Sequence, residues 1–319
     1  MRHPPIILAL LLALAGLVRP AAAEPPRIVA SILPLQGLAA MVADGVAEPV
    51  LLMPGNASPH TYSLRPSQAR ALAGADLVLW IGPGLETFLA GPLDSLAGGA
   101  RRLTVADLPG LRRLPARRGG IWEDEDDEHR HAPAGGEKAT PQPAGPHLDP
   151  HLWLDPGNAM VVLGAVAAAL AEIDPDNADA YRDNARLGRQ RLAALDAALA
   201  ARLQPLTNRP FVVFHDAYQY LERRYGLSAV GALTVSPEIR PGARRLAALR
   251  EEIERRGAVC IFAEPQFPPR AIEQIAGGTG AAVGVLDPLG AGIDPGRDAY
   301  LILMDRLGAA AVDCLAGPA

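Results

Sequence analysis

Short continuous apolar runs recur along the chain between stretches rich in Ala, Leu and Arg. The first half carries RIVASIL, PVLLMP, DLVLWIG and RRLTV, and the second carries FVVFHD, SAVGALTV, AVCIFAEP and AVGVLDP. Runs that are apolar throughout, rather than alternating with polar residues, belong to parallel strands buried on both faces, and the intervening stretches are the helices that cover them. The pattern predicts an α/β fold of two similar lobes, each a mostly parallel sheet of four strands flanked by helices. GADLVLWIGPG and GAVCIFAEPQ match in position and pattern, as two lobes of one plan require.

A long helix is predicted to join the lobes. Asp174-Pro175 reads as an N-cap with proline in the first turn, and from Pro175 to Leu203 only Gly188 interrupts. Leu192, Leu195, Leu199 and Leu203 recur at threes and fours, so one stripe is buried and the helix acts as a stiff spine. The expected division is a first lobe over 24–173, a connecting helix over 174–204 and a second lobe over 205–319. Residues 117–146, rich in Gly, Pro and charge, break the pattern. They hold six consecutive acids, Glu123 to Glu128, followed by His129, Arg130 and His131. Such a segment buries too little apolar surface to order itself, and is expected as a mobile loop, either merely solvated or a weak collector of cations.

The N-terminus narrows the compartment. Arg2, an apolar stretch from Ile6 to Val18 and then Ala21, Ala22 and Ala23 form an export signal over 1–23. No cysteine lies near the cleavage site to carry a lipid anchor, and no internal run is expected to cross a membrane, so a soluble periplasmic protein follows. Net charge is −5, without a basic stripe and with 4% aromatic residues, which argues against a nucleic-acid partner. The two cysteines, Cys260 and Cys314, are an even pair in an exported chain, which usually bridges. Two buried free thiols, or thiolate ligands without CxxC spacing, are the other readings.

Candidate chemistry lies with three histidines: His60 in NASPHTY, His151 in DPHLWLDP and His215 in FVVFHDAY. With Asp287 of VLDPLG they make an N3O donor set suited to Zn²⁺. His60, His215 and Asp287 fall at or just beyond the carboxyl ends of predicted strands, the edge where parallel sheets collect ligands. Each residue also has a plain reading. His60 can be an exposed loop histidine, His151 a packing or capping residue, His215 a satisfied core histidine, and Asp287 the cap of a turn.

The motifs around these residues decide between the readings by resemblance. PVLLMPGNASPHTYSLRPSQARALAGADLVLWIGPGLE, DPHLWLDPGNA, FVVFHDAYQYLERRYGL, VSPEIRPGARRL, IFAEPQF and VLDPLG stand in this order along the chain, within a resemblance that extends from about Ile28 to Cys314. The chain resembles the cluster A-I metal-binding receptors of ABC importers, and the zinc-uptake type most. That resemblance implies a two-lobed fold with a connecting helix, an acidic histidine-bearing loop, a disulfide between Cys260 and Cys314, and His60, His151, His215 and Asp287 as metal ligands. Manganese and iron receptors of the family carry glutamate at the third position, where this chain has His215. The residue before the first histidine, acidic in some zinc receptors, is Pro59, which leaves the fourth position to Asp287 or water.

The expected function is therefore capture of Zn²⁺ in the periplasm for an inner-membrane ABC permease, by a monomer without enzymatic activity or membrane anchor. A periplasmic zinc chaperone is a further partner compatible with it. The same fold carrying manganese or iron is the alternative cargo reading. An exported zinc hydrolase is the rival class, disfavoured because no HExxH pair is present. Asp155, Asp216, Glu238 and Glu264 are candidates to orient the imidazoles through their other ring nitrogens, Glu264 first. Arg244, Arg245, Arg250 and Glu251 offer a charged helix face for docking a transporter, against the plainer reading of a solvated face.

Overall fold

The computed structural model describes residues 24–117, 122, 148–234, 237 and 241–317. The export signal over 1–23, Glu238, and the acidic segment except Arg117 and Trp122 lie outside the described residues. All eight apolar runs become strands: β1 (Ile28–Ala30), β2 (Val50–Leu51), β3 (Leu77–Trp80), β4 (Arg101–Thr104), β5 (Phe211–His215), β6 (Ala229–Thr234), β7 (Cys260–Ala263) and β8 (Ala282–Val285). They form two four-stranded sheets in the orders β2-β1-β3-β4 and β6-β5-β7-β8, with every pairing parallel. The second order repeats the first, so each sheet is built to one plan.

Strand periodicity assigns each face a different core. Ile28, Ala30, Leu77 and Leu79 of the first sheet and Phe211, Val213, Cys260 and Phe262 of the second belong to one continuous apolar cluster. The alternate residues face outward onto separate clusters. Val29, Val78 and Trp80 pack under α2 (Pro66–Ala73) and α3 (Ala90–Leu96). Val212 and Ile261 pack under α7 (Ala243–Arg256) and α8 (Arg270–Ala276). Between the sheets lie α1 (Leu33–Val42), α4 (Pro156–Ile173), α5 (Ala178–Leu203), α6 (Gln219–Tyr225) and α9 (Ala299–Leu315), all contributing to the shared cluster. The lobes are thus joined by a common core as well as by a linker.

The connecting helix is α5, preceded by a 3₁₀ turn over Pro175–Asn177. Its 26 residues span about 39 Å at a rise of about 1.5 Å each. Tyr181, Ala185, Gly188, Leu192, Leu199 and Leu203 form the buried stripe. Asp174 does not cap this helix through a backbone N–H. Its carboxylate accepts instead from the Tyr181 hydroxyl at 2.6 Å and Asn177 Nδ2 at 2.8 Å.

Two expectations about surface and membrane need correction. Among the described residues, α4 is long and apolar enough to cross a membrane by length and composition, contrary to the expectation that no internal run is. It is a core helix whose buried side, including Val162, Leu163, Val166 and Leu170, packs between α1 and α5. Arg245 is not on a solvated helix face. It is buried, and donates to the carbonyls of Leu233 at 2.7 Å and Ala232 at 2.9 Å.

Cys260 of β7 and Cys314 of α9 form the disulfide, with Cα atoms 6.0 Å apart. The bridge pins the last helix to the second sheet. Gly284 of β8 makes room for it, because a Cβ there would stand 2.9 Å from Cys314 Sγ and 2.8 Å from the Phe262 ring.

Candidate metal centre

His215 is the last residue of β5, and its parity with Phe211 and Val213 turns it toward the shared core. His151 precedes the 3₁₀ turn Leu152–Leu154 that leads into α4. His60 lies in the loop after β2, where its backbone N–H approaches Ser58 Oγ at 3.4 Å. One ring nitrogen from each of the three falls within 4.8 Å of the other two. They line a cavity of about 10 Å³ together with Ser58, Trp153, Glu264 and Gln266. That is room for one ion or one water, far below the roughly 300 Å³ at which small-molecule pockets begin.

Two buried carboxylates fix the rings. Glu264 Oε1 lies 2.7 Å from Nδ1 of His215, and Asp149 Oδ1 lies 2.8 Å from Nδ1 of His151. Asp149 also accepts from the His151 backbone N–H at 3.0 Å and from Gln219 Nε2 at 3.2 Å, so it acts as an acceptor and the imidazole as the donor. In the neutral form of each ring, with the proton on Nδ1, Nε2 presents a lone pair, and the two Nε2 atoms lie 3.3 Å apart. Two nitrogens each about 2.0–2.1 Å from a tetrahedral zinc stand about 3.3–3.4 Å apart, so the spacing is that of two ligands on one ion. Nε2 of His60 is buried and has no hydrogen-bond partner among the described residues.

Electrostatics favour neutral rings at two of the three positions. Burial, then the charges of His215 and His151, holds His60 well below the ordinary histidine value. Burial, then His215, does the same for His151. At His215 burial pulls down, but the Glu264 charge and hydrogen bond, with Asp216 and Asp149, outweigh it and raise the pKa. Burial also pushes Asp149 up to about 7, against its hydrogen bonds and the charges of Arg117 and His215. A cation at the imidazoles counters that burial cost and draws both groups to their ligand-competent forms.

Of the expected orienting carboxylates, Glu264 fills the role and two others do not. Asp155 caps α4 through Gly157 N at 2.7 Å and pairs with Arg224 at 2.6 Å. Asp216 is engaged by Arg117, whose guanidinium also reaches Glu222 at 2.8 and 2.9 Å and stacks on Trp122 at 3.7 Å. Asp149 was not among the candidates. Its signal is its place two residues before His151, where one oxygen can reach both the backbone N–H and the ring.

Asp287, expected as the fourth ligand, is not in the group of converging donors. Oδ1 accepts from Leu289 N at 3.0 Å, Gly290 N at 3.0 Å and Gln266 Nε2 at 2.8 Å, and Oδ2 accepts from Ala291 N. Its carboxylate is held by the turn that follows it, the plain reading of an aspartate before Pro-Leu-Gly.

The family model for ZnuA, the periplasmic component A of the zinc-uptake complex, matches residues 28–314. The chain belongs to the ZnuA family. The high-affinity zinc uptake system protein ZnuA of Brucella abortus (strain 2308) is 40% identical over 310 residues, 92% of this chain and 93% of the relative. A crystal structure of ZnuA superposes with a TM-score of 0.73 at 28% identity, covering 90% of this chain and 98% of the other. A ZnuA deletion mutant with zinc bound gives 0.73 at 27%, covering 92% and 98%. Like these relatives, the chain devotes nearly its whole length to the two-lobed ZnuA fold.

Proposed function

We propose that the protein is a periplasmic receptor that binds Zn²⁺ through His60, His151 and His215 and delivers it to an inner-membrane ABC importer. The observation that carries this reading is the pair of lone-pair nitrogens at 3.3 Å, each imposed by a carboxylate on the far side of its ring, with a third imidazole beside them. Family membership supports transport as the use of the site. All three imidazoles come from one chain, so a monomer suffices. Three neutral imidazoles suit zinc, whereas manganese is better served by oxygen donors.

A cavity for one ion leaves no space beside it for an organic substrate, which disfavours the hydrolase reading. Glu264 and Asp149 each commit one oxygen to the Nδ1 side of a ring. The zinc is cargo, so retention has to end in release. His60 is the ligand free to leave, because it sits on a loop and no carboxylate among the described residues fixes its ring, while His151 and His215 are anchored in the seam between the lobes. Release by displacement of that loop needs no separation of the shared core.

Competition titration of metal-free protein against a chelator tests the reading. One Zn²⁺ per chain is expected, held more tightly than Mn²⁺, with no hydrolysis of ester, amide or phosphate substrates. Absence of stoichiometric zinc binding, or turnover of any of these substrates, would remove it.

A further inference from the structure

Gln266 lines the ion cavity from the segment after β7, and its amide is oriented without ambiguity. Nε2 donates to the carbonyl of Gly55 at 2.7 Å and to Asp287 Oδ1 at 2.8 Å. Both partners are acceptors only, so the NH₂ end must face them and the oxygen must face the other way. That oxygen, Oε1, is buried and has no donor among the described residues. A buried amide oxygen without a donor costs roughly 1–3 kcal/mol, so an arrangement that supplies one is favoured.

We propose that Gln266 completes the cation's surroundings: its Oε1 accepts a hydrogen bond from the water that occupies the fourth position of the three-imidazole zinc. This rests on the receptor reading above and deepens it. Three imidazoles leave one tetrahedral position, Pro59 has no donor atom to fill it, and Asp287 is spent on its own turn. Asp287 then acts through Gln266, holding the amide so that its oxygen points inward. The same side chain bonds the loop that carries His60, because Gly55 belongs to it. Gln266 is therefore a positioning residue that links water at the ion to closure of the His60 loop across the two lobes. A glutamate in its place would set a charged oxygen against the Gly55 carbonyl and the Asp287 carboxylate, which explains why an amide serves here.

The test uses Co²⁺, whose visible absorption reports its coordination, together with zinc affinity by chelator competition. Metal-free wild type and Gln266→Leu are loaded with one equivalent of Co²⁺. The expected result is a changed visible spectrum in the variant and zinc affinity reduced about tenfold. A Co²⁺ spectrum that superimposes on wild type overturns the proposal, whatever happens to the affinity, since a merely structural role would leave the coordination unchanged. If Gln266→Leu does not fold, Gln266→Asn keeps both amide ends, withdraws them by one methylene and is read in the same way. Wild type that binds neither ion removes the receptor reading and this inference with it. Wild type that binds, beside a spectrally unchanged variant, removes this inference alone.

Discussion

Nε2 of His151 and Nε2 of His215 lie 3.3 Å apart, each turned toward the other by a carboxylate bonded to the far side of its ring. Once His215 has given up its Nε2 proton, two lone pairs so placed repel, and their approach is maintained because the shared core and two carboxylates hold the rings from behind. A dication between them turns that repulsion into two bonds. Replacing His215 with Ala is therefore expected to lower zinc affinity by more than about a hundredfold, beyond the range for loss of a ligand's orienting partner. Chelator competition measures it, and affinity within threefold of wild type would exclude His215 as a ligand.

The orienting carboxylates act through the rings they hold. Glu264→Ala and Asp149→Ala are each expected to cost about 10–100-fold in zinc affinity, since Nδ1 loses its acceptor and the ring its fixed tautomer. Asp155→Ala, which removes a helix cap away from the imidazoles, is the control. It removes the cap and the buried partner of Arg224 together, so it should lower stability by about 3 kcal/mol and leave zinc affinity nearly unchanged. Equal losses of affinity in all three variants would mean that general destabilisation, not ring orientation, is being read.

Protons compete with the cargo. His215 is raised above the ordinary histidine value of about 6.5, and a protonated imidazole cannot ligate, so zinc binding must expel that proton. Asp149, raised to about 7, also ionises more fully once the cation is present. Both signs agree: affinity rises with pH through the neutral range and falls as pH drops below it. The expected slope is at least about tenfold per pH unit between about pH 5.5 and 6.5. Titration calorimetry in buffers of different ionisation enthalpy should register proton release on binding, and an affinity flat across that range would contradict the assignment.

Much of this architecture was legible in the chain for a physical reason. Parallel strands buried on both faces are apolar throughout, so inner strands such as β3 and β7 stand out as the runs DLVLWIG and AVCIFAEP, while the exposed edge strand β4 begins with two arginines. The same property hid the shared core. Where Val212 and Val213 are equally apolar, nothing in the run tells that one faces α7 and α8 and the other the seam between the lobes. The three histidines were legible because their motifs resemble those of metal receptors. Asp287 is ambiguous in the sequence because an aspartate before Pro-Leu-Gly binds its own turn as readily as a cation, and in this structure its oxygens accept from that turn. Asp174 stands at the N-cap position before Pro175 as read, but its carboxylate binds the Tyr181 hydroxyl and no backbone N–H. Gln266 carried no sequence signal, since its role depends on Gly55, more than two hundred residues away.

The disulfide is remote from this chemistry and should behave so. Closing a loop of 54 residues is worth about 4 kcal/mol in the chain-entropy model, and the bridge ties α9 to β7 rather than to any imidazole. Cys260→Ser combined with Cys314→Ser is expected to lower unfolding stability by roughly that amount while the folded variant retains one zinc per chain. Denaturant unfolding and metal analysis read the two separately. Loss of zinc binding in a folded double variant would place the bridge in the site's support.

Two glycines in the shared core make opposite predictions from the same substitution. A Cβ on Gly37 of α1 would stand 2.8 Å from the Tyr300 backbone nitrogen, 3.2 Å from Ala299 Cβ and 3.3 Å from Tyr300 Cβ, all of them close to the α9 main chain. A Cβ on Gly188 of α5 would meet Met41 Sδ at 2.7 Å and Leu163 Cδ1 at 2.9 Å, both side-chain tips able to turn aside. Alanine gains up to about 1 kcal/mol over glycine inside a helix, whereas forcing packed backbones apart costs typically 1–3 kcal/mol. At Gly37 the cost exceeds the gain, and Gly37→Ala should lower the unfolding temperature. At Gly188 the clash is relieved by a flexible methionine, so Gly188→Ala should be near neutral. Because α1 and α9 belong to different lobes, a wedge at Gly37 also strains the seam that holds His151 and His215 together, and zinc affinity should fall in that variant alone. If Gly37→Ala proves as stable and as tight for zinc as wild type, the lobes slide more freely than a common core allows.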